Sequence, residues 1–253
     1  MNETISRRKA IKRGLSAAAA LAVASGASVT SAQNAPRKEI VIYLYDGMTA
    51  LDAIGPYEVL RFLPNASVRF VAKVKGPVRM DSRALTLMAD YGIDEVSSAH
   101  TLVIPGGGTT LAQMQDEAVV SWVRRIHATT TWTTSVCTGA GLLVAAGLLK
   151  GLKATTHWAS MKDLADLGVI ATDERVVRVG KIITSAGVSA GMDMALTLAA
   201  LEAGDVQAKA IQLLLEYDPA PPFDSGSFAK ASDEVKQKAI VMLAQNSRRA
   251  GMK

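Results

Sequence analysis

Cys137 is the one cysteine among 253 residues, and its neighbours are small: Ser135-Val136-Cys137-Thr138-Gly139. A lone cysteine closes no intramolecular disulfide, so it serves either as a small buried apolar side chain or as a reagent. Small–x–nucleophile–x–small is the pattern of a nucleophile elbow, a strand-to-helix turn too tight for bulky neighbours. Such a turn lifts the sulfur above the sheet edge and aims the first N–H groups of a helix, with their dipole, at it; both favour a thiolate. Asp52 follows an apolar run by a short loop. A carboxyl group facing that sulfur in a poorly solvated crevice resists ionisation and can carry a transferable proton at neutral pH. Asp is equally suited there to cap a helix. Pro105-Gly106-Gly107-Gly108 allows backbone N–H groups to approach a ligand, as one half of an anion hole whose other half is the Thr138 N–H. Its spacing is not that of a dinucleotide or P-loop fingerprint. His157, in Ala154-Thr155-Thr156-His157-Trp158, is the histidine to weigh as a partner for sulfur, although a hydrogen-bonded structural histidine is the commoner use. With His100 at a strand start and His127 at a helix end, no His, Cys and Asp stand at metal-ligand spacing, so neither metal nor other cofactor is expected.

Positioning these groups requires strands that end where they begin. Glu39–Tyr45 is a continuous apolar run, as in a strand buried on both faces. Thr101–Ile104 runs into the glycine turn and Trp132–Val136 runs into Cys137. Helices are expected over Asp52–Leu63 (Pro56 in its first turn), Asp116–His127, Thr138–Leu149 (closed by Gly151), Trp158–Leu167, Val188–Ala203, Val206–Glu216 and Ser232–Gln245. Ser67–Lys75 alternates as a further strand, and Arg175–Val179 with Lys181–Thr184 forms a hairpin hinged at Gly180. The stretch after Gly76 is less regular, and Pro219–Ser227 is a loop. Strands alternating with helices imply an α/β fold, a mostly parallel sheet with helices on both faces. The loops at its carboxyl edge then converge on one crevice.

The N-terminus is a separate matter. Ser6-Arg7-Arg8-Lys9-Ala10-Ile11-Lys12 follows the twin-arginine export pattern, with Ala10 where a bulky apolar residue is usual. An Ala-rich stretch to Val29 and the small residues Thr30-Ser31-Ala32 complete an export signal over residues 1–32, which directs the protein to the periplasm or outside the cell. The stretch is short and mildly apolar for a membrane span, so no membrane association is expected after processing. Arg7, Arg8, Lys9, Lys12 and Arg13 stand there against Glu3 alone and account for all but one unit of the +5 net charge. Residues 33–253, a single domain, are close to neutral, which argues against a nucleic-acid partner.

Together Cys137, Asp52, the Gly106–Gly108 turn, Thr155-Thr156-His157, Leu51-Asp52-Ala53-Ile54-Gly55-Pro56-Tyr57-Glu58-Val59 and Thr184-Ser185-Ala186-Gly187-Val188 resemble the DJ-1/PfpI superfamily from about Glu39 to Asp224. The resemblance implies a flavodoxin-like three-layer sandwich, a reactive elbow cysteine hydrogen-bonded by an acidic residue at position 52, and a homodimer. Within the superfamily the likeness is greatest to isonitrile hydratases: Asp at 52, Thr138 after the cysteine, the 154–158 segment and Glu216-Tyr217-Asp218-Pro219-Ala220-Pro221-Pro222-Phe223-Asp224. Protease members place His after the nucleophile, where this chain has Thr138. The implied activity is hydration of a small-molecule isonitrile to an N-substituted formamide. Cys137, Asp52 and Thr138 would be catalytic, and Gly106, Gly107 and His157 would contact substrate. A glyoxalase-like or other cysteine-dependent activity and a non-catalytic ligand or redox sensor are the alternatives.

Overall fold

The computed structural model describes residues 37–251; the expected export signal lies outside the described residues. In chain order the elements are β1 (Lys38–Leu44), α1 (Ala50–Leu60), β2 (Ala66–Ala72), β3 (Gly76–Arg79), β4 (Thr86–Ala89), β5 (Tyr91–Gly92), β6 (Thr101–Ile104), α2 (Thr110–Met114), α3 (Glu117–Thr129), β7 (Trp132–Val136), α4 (Gly139–Ala145), β8 (Lys153–Ala154), α5 (Met161–Asp166), β9 (Ile170–Ala171), β10 (Val176–Val179), β11 (Ile182–Ser185), α6 (Ala190–Ala203), α7 (Asp205–Leu214) and α8 (Asp233–Gly251).

Seven strands form the central sheet in the order β10-β11-β7-β6-β1-β2-β5. Neighbours are parallel except β10, which pairs antiparallel with β11. In β1, Ile40 to Leu44 are all fully buried, as a strand covered on both faces requires. Helices α1, α6 and α7 pack together, while α2, α3 and α4 form a second group. The fold is α/β, a mostly parallel sheet with helices around it, as the alternation of elements implies. The register places Leu44, Ile104, Val136 and Ser185 at one edge. The loops that follow them carry the candidate residues.

Local differences from the sequence reading have identifiable causes. Helix α1 starts at Ala50 and its N-cap is Thr49, so Asp52 is a residue of the first turn and not the cap. Pro56 consequently falls in the second turn, where it packs toward Gly191. Helix α4 ends at Ala145 rather than Leu149, because Gly147 takes a left-handed φ of +78° and turns the chain. The irregular stretch after Gly76 is an antiparallel hairpin, β3–β4, whose outward residues hide its alternation. A 3₁₀ turn at Trp158–Ser160 precedes α5. Helix α8 runs to Gly251, and its Ser247 and Ala250 lie against Gly108.

Candidate active site

The elbow is built by steric necessity. Cys137 sits between β7 and α4 at φ +58°, a left-handed conformation that costs a non-glycine residue about 1–3 kcal/mol. A Cβ on Gly139 would lie 2.3 Å from the Ile104 carbonyl oxygen, and one on Gly106 would lie 2.5 Å from the Thr138 nitrogen. Both positions therefore admit only glycine, and the β6 and β7 loops close on each other. The Cys137 N–H is shared between the Ser185 and Ala186 carbonyls, 3.1 Å from each. Thr156 Oγ1 donates to the Cys137 carbonyl at 2.8 Å.

Asp52 is completely buried beside this turn. Its Oδ2 accepts from the Gly106 N–H at 2.9 Å. Its Oδ1 is buried with no hydrogen-bond partner among the described residues. The neighbouring Cys137 thiol acts on the carboxyl in favour of its charged form. Desolvation pushes Asp52 up to about 7; the Gly106 N–H and the thiol oppose that shift, and the charge of Asp81 adds to it. Asp81 is held in place from two sides, accepting from Thr49 Oγ1 at 2.8 Å and from Asn246 Nδ2 of α8 at 3.0 Å.

The sulfur departs from the sequence expectation. Burial pushes the Cys137 thiol well up, and the neighbouring Asp52 charge pushes it further. The N–H groups of Thr138 and Val188 and the Thr138 hydroxyl favour the anion but do not outweigh burial. The resting sulfur therefore holds its proton, and the helix start alone does not make a thiolate. Two buried acids without a cation between them share protons instead of each ionising.

The glycine turn also plays a different part from the one expected. The Gly106 N–H is engaged by Asp52, and the Gly107 N–H donates to Thr138 Oγ1 at 2.9 Å. Neither is available as half of an anion hole; both serve to orient Asp52 and Thr138. Thr138 Oγ1 lies 2.8 Å from Thr110 Oγ1, itself 2.9 Å from the buried Tyr45 hydroxyl, which donates to the Pro105 carbonyl at 3.1 Å. This chain of hydroxyls fixes the Thr138 side chain.

His157 does not join the sulfur. It caps the 3₁₀ turn through Nδ1, which accepts from the Ala159 N–H at 3.3 Å, and its ring lies against Gly187. Burial lowers its pKa, so the ring is neutral. Thr156, not His157, ties this segment to the elbow. Val188 is the group that sequence reasoning missed. A β-branched residue gives no sign that it will adopt φ +43° and direct its N–H at a sulfur.

A cavity of about 580 Å³ adjoins the elbow through Thr138, and Gly107, Thr156, Leu111, Met114 and Leu164 also line it. Its size and largely apolar lining suit a small organic group. Among the described residues no cluster of three or more His, Cys, Asp or Glu is placed to hold a metal ion.

Comparison with known proteins agrees with this architecture. Residues 38–201 match the DJ-1/PfpI family. The chain is 42% identical over 201 residues to the isonitrile hydratase of Pseudomonas putida, covering 79% of this chain and 88% of that one. A ThiJ/PfpI family protein from Pseudomonas syringae superposes with a TM-score of 0.80 at 36% identity, covering 89% of this chain and 94% of that structure. The oxidised DJ-1 of Toxoplasma gondii superposes with a TM-score of 0.64 at 26% identity, over 72% of this chain and all of that structure. The matched residues 38–201 span the elbow, the buried acid and the central sheet, and the chain belongs to the DJ-1/PfpI family.

Proposed function

We propose that the protein is a cysteine-dependent hydratase that converts an isonitrile, R–N≡C, to the N-substituted formamide. The observation that carries this reading is the unpartnered Oδ1 of the buried Asp52, a carboxyl pushed up to about 7, next to the Cys137 thiol. A terminal isonitrile carbon needs a proton and a nucleophile delivered to the same atom. The isonitrile hydratase of Pseudomonas putida, at 42% identity, supports the same choice.

The reactive form of the pair carries one proton. Asp52, as carboxylate, takes the thiol proton on Oδ1. The resulting carboxyl group then protonates the isonitrile carbon while the sulfur adds to it, giving the thioimidate R–N=CH–S-Cys137 and a recharged carboxylate. That carboxylate removes a proton from water as the water oxygen bonds to the same carbon and passes this proton to the nitrogen, giving R–NH–CH(OH)–S-Cys137, whose hydroxyl holds the last proton. Collapse of the adduct breaks the C–S bond, releases R–NH–CHO and returns the proton to the sulfur. Two moderate steps replace one difficult addition. The Thr138 and Val188 N–H groups face the sulfur and stabilise its transient charge. The apolar cavity receives R. Export to the periplasm or beyond and assembly as a homodimer belong to the same reading; the basic twin-arginine pattern at residues 6–12 supports the first.

The test is turnover of a small alkyl isonitrile by the mature protein, with the formamide measured by NMR. Formamide production that disappears in Cys137→Ala is expected. Absence of turnover in the wild type, or conversion of methylglyoxal in its place, would overturn the assignment.

A further inference from the structure

The Val188 N–H needs a mount, because nothing in its own conformation holds it. Its left-handed φ of +43° is unfavourable for a β-branched residue, and an unconstrained loop would relax by turning that N–H away. Three side chains from three separate segments meet just beyond it. Arg175, preceding β10, pairs through Nε with Asp193 Oδ2, and its other arm donates from Nη2 to Ser189 Oγ at 3.1 Å. Asp193 lies in the first turn of α6, where a carboxylate also suits the helix dipole. Its second oxygen, Oδ1, accepts from the Tyr217 hydroxyl at 3.0 Å. The Arg175 carbonyl accepts from the Ala186 N–H at 3.0 Å, so the same residue grips both sides of Gly187-Val188. We infer that Arg175, Asp193 and Tyr217 form a positioning clamp that holds the start of α6 and thereby keeps the Val188 N–H on the Cys137 sulfur.

None of the three hydrogen-bonds to Cys137 or Asp52 among the described residues; they act through the loop. Tyr217 belongs to the segment after α7, so the clamp couples a remote part of the chain to the sulfur. The inference rests on Cys137 as the reacting group but not on the isonitrile as substrate.

The experiment therefore reads the sulfur directly. Alkylation of the mature protein by iodoacetamide at fixed pH is compared in wild type, Tyr217→Phe, Asp193→Asn, Arg175→Gln and Arg175→Lys, with Arg178→Gln, elsewhere on β10, as control. Loss of the N–H raises the energy of the sulfur anion, so alkylation is expected to slow about threefold in Tyr217→Phe and about tenfold in Asp193→Asn and Arg175→Gln, one pKa unit being tenfold. Arg175→Lys should recover part of the loss, and the control should match wild type. The Val188 amide proton should move upfield in the slowed variants. With isonitrile as substrate, kcat should fall and KM stay put. A clamp that only kept the fold tight would give the opposite sign, faster alkylation as the buried sulfur became accessible. Tyr217→Phe carries no charge change and spares folding, so it decides the matter if the charge variants do not fold. Faster or unchanged alkylation there, with an unmoved Val188 amide signal, overturns the clamp. Alkylation slowed as expected in a protein that turns over no isonitrile leaves the clamp standing and removes only the proposed substrate.

Discussion

Two carboxylates at opposite ends of the sheet, Glu202 partly buried and Asp52 wholly so, are treated in opposite ways. At the amino edge Glu202 receives Lys38 Nζ at 2.6 Å and the Trp132 indole N–H, with His100 Nε2 at 3.0 Å. Burial opposes its ionisation, yet Lys38, Trp132 and His100 together hold it below the usual carboxylate range. At the carboxyl edge Asp52 receives one backbone N–H and no cation, and burial wins, pushing it up to about 7. Pairing makes a carboxylate a structural tie, whereas burial without a cation leaves one able to take and give a proton near neutral pH. Deeper burial and the lack of a cation together separate the reactive end of the sheet from the inert one.

Substitutions at the two ends break this contrast in different directions. Cys137→Ala should have the largest effect, reducing isonitrile turnover by at least about 10³-fold with the fold intact, measured as formamide release. Asp52→Asn keeps the shape and removes the transferable proton; kcat should fall about 10²–10⁴-fold. The same variant should be more stable than wild type at pH 8. The folded pKa of Asp52 lies above its unfolded value of 3.8, so stability is lost as pH rises from there to about 7 and the penalty is constant above it. By linkage that penalty is on the order of 4 kcal/mol, and chemical denaturation at pH 4 and pH 8 should show the gain only at the higher pH.

Glu202→Gln is the mirror experiment. It should cost about 2 kcal/mol in denaturant titrations near neutral pH, by weakening hydrogen bonds to a charged group, and leave kcat/KM alone. Its folded pKa is depressed, so the stability it provides is present above the unfolded value and fades as pH falls through the folded one. Between these extremes, kcat/KM of the wild type should rise with pH through about 7. Below that pH Asp52 already holds a proton and its Oδ1 cannot accept the one on sulfur. Smallest among the losses of turnover, Thr138→Val should slow it about tenfold, since the backbone N–H at that position remains.

Much of the carboxyl edge was legible in the residues. Glycines at 106 and 139 and small residues around Cys137 report a turn that only they can make, so the elbow and its strands follow from the pattern alone. Asp52 was legible as an acid near sulfur, but its place inside α1 rather than at the cap depends on how far the helix extends. The roles of Gly106 and Gly107 were not legible, because composition says that an N–H can approach and not which acceptor it meets. The resting state of the sulfur was hidden for a related reason: a helix start is a local feature, and desolvation is a property of the whole packed crevice. Arg175, Asp193 and Tyr217 are ordinary polar residues far apart in the chain, and only tertiary packing gathers them.

The measurement that bears most directly on the account is a carbon-detected NMR titration of the Asp52 side-chain carboxyl in the mature protein, with Glu202 followed in the same spectra as the internal contrast. Asp52 should change protonation near pH 7 while Glu202 does so below the ordinary glutamate range. An Asp52 carboxyl that titrates near 4, like any exposed aspartate, would contradict the claim that this carboxyl is basic enough to take the thiol proton and relay it to the substrate.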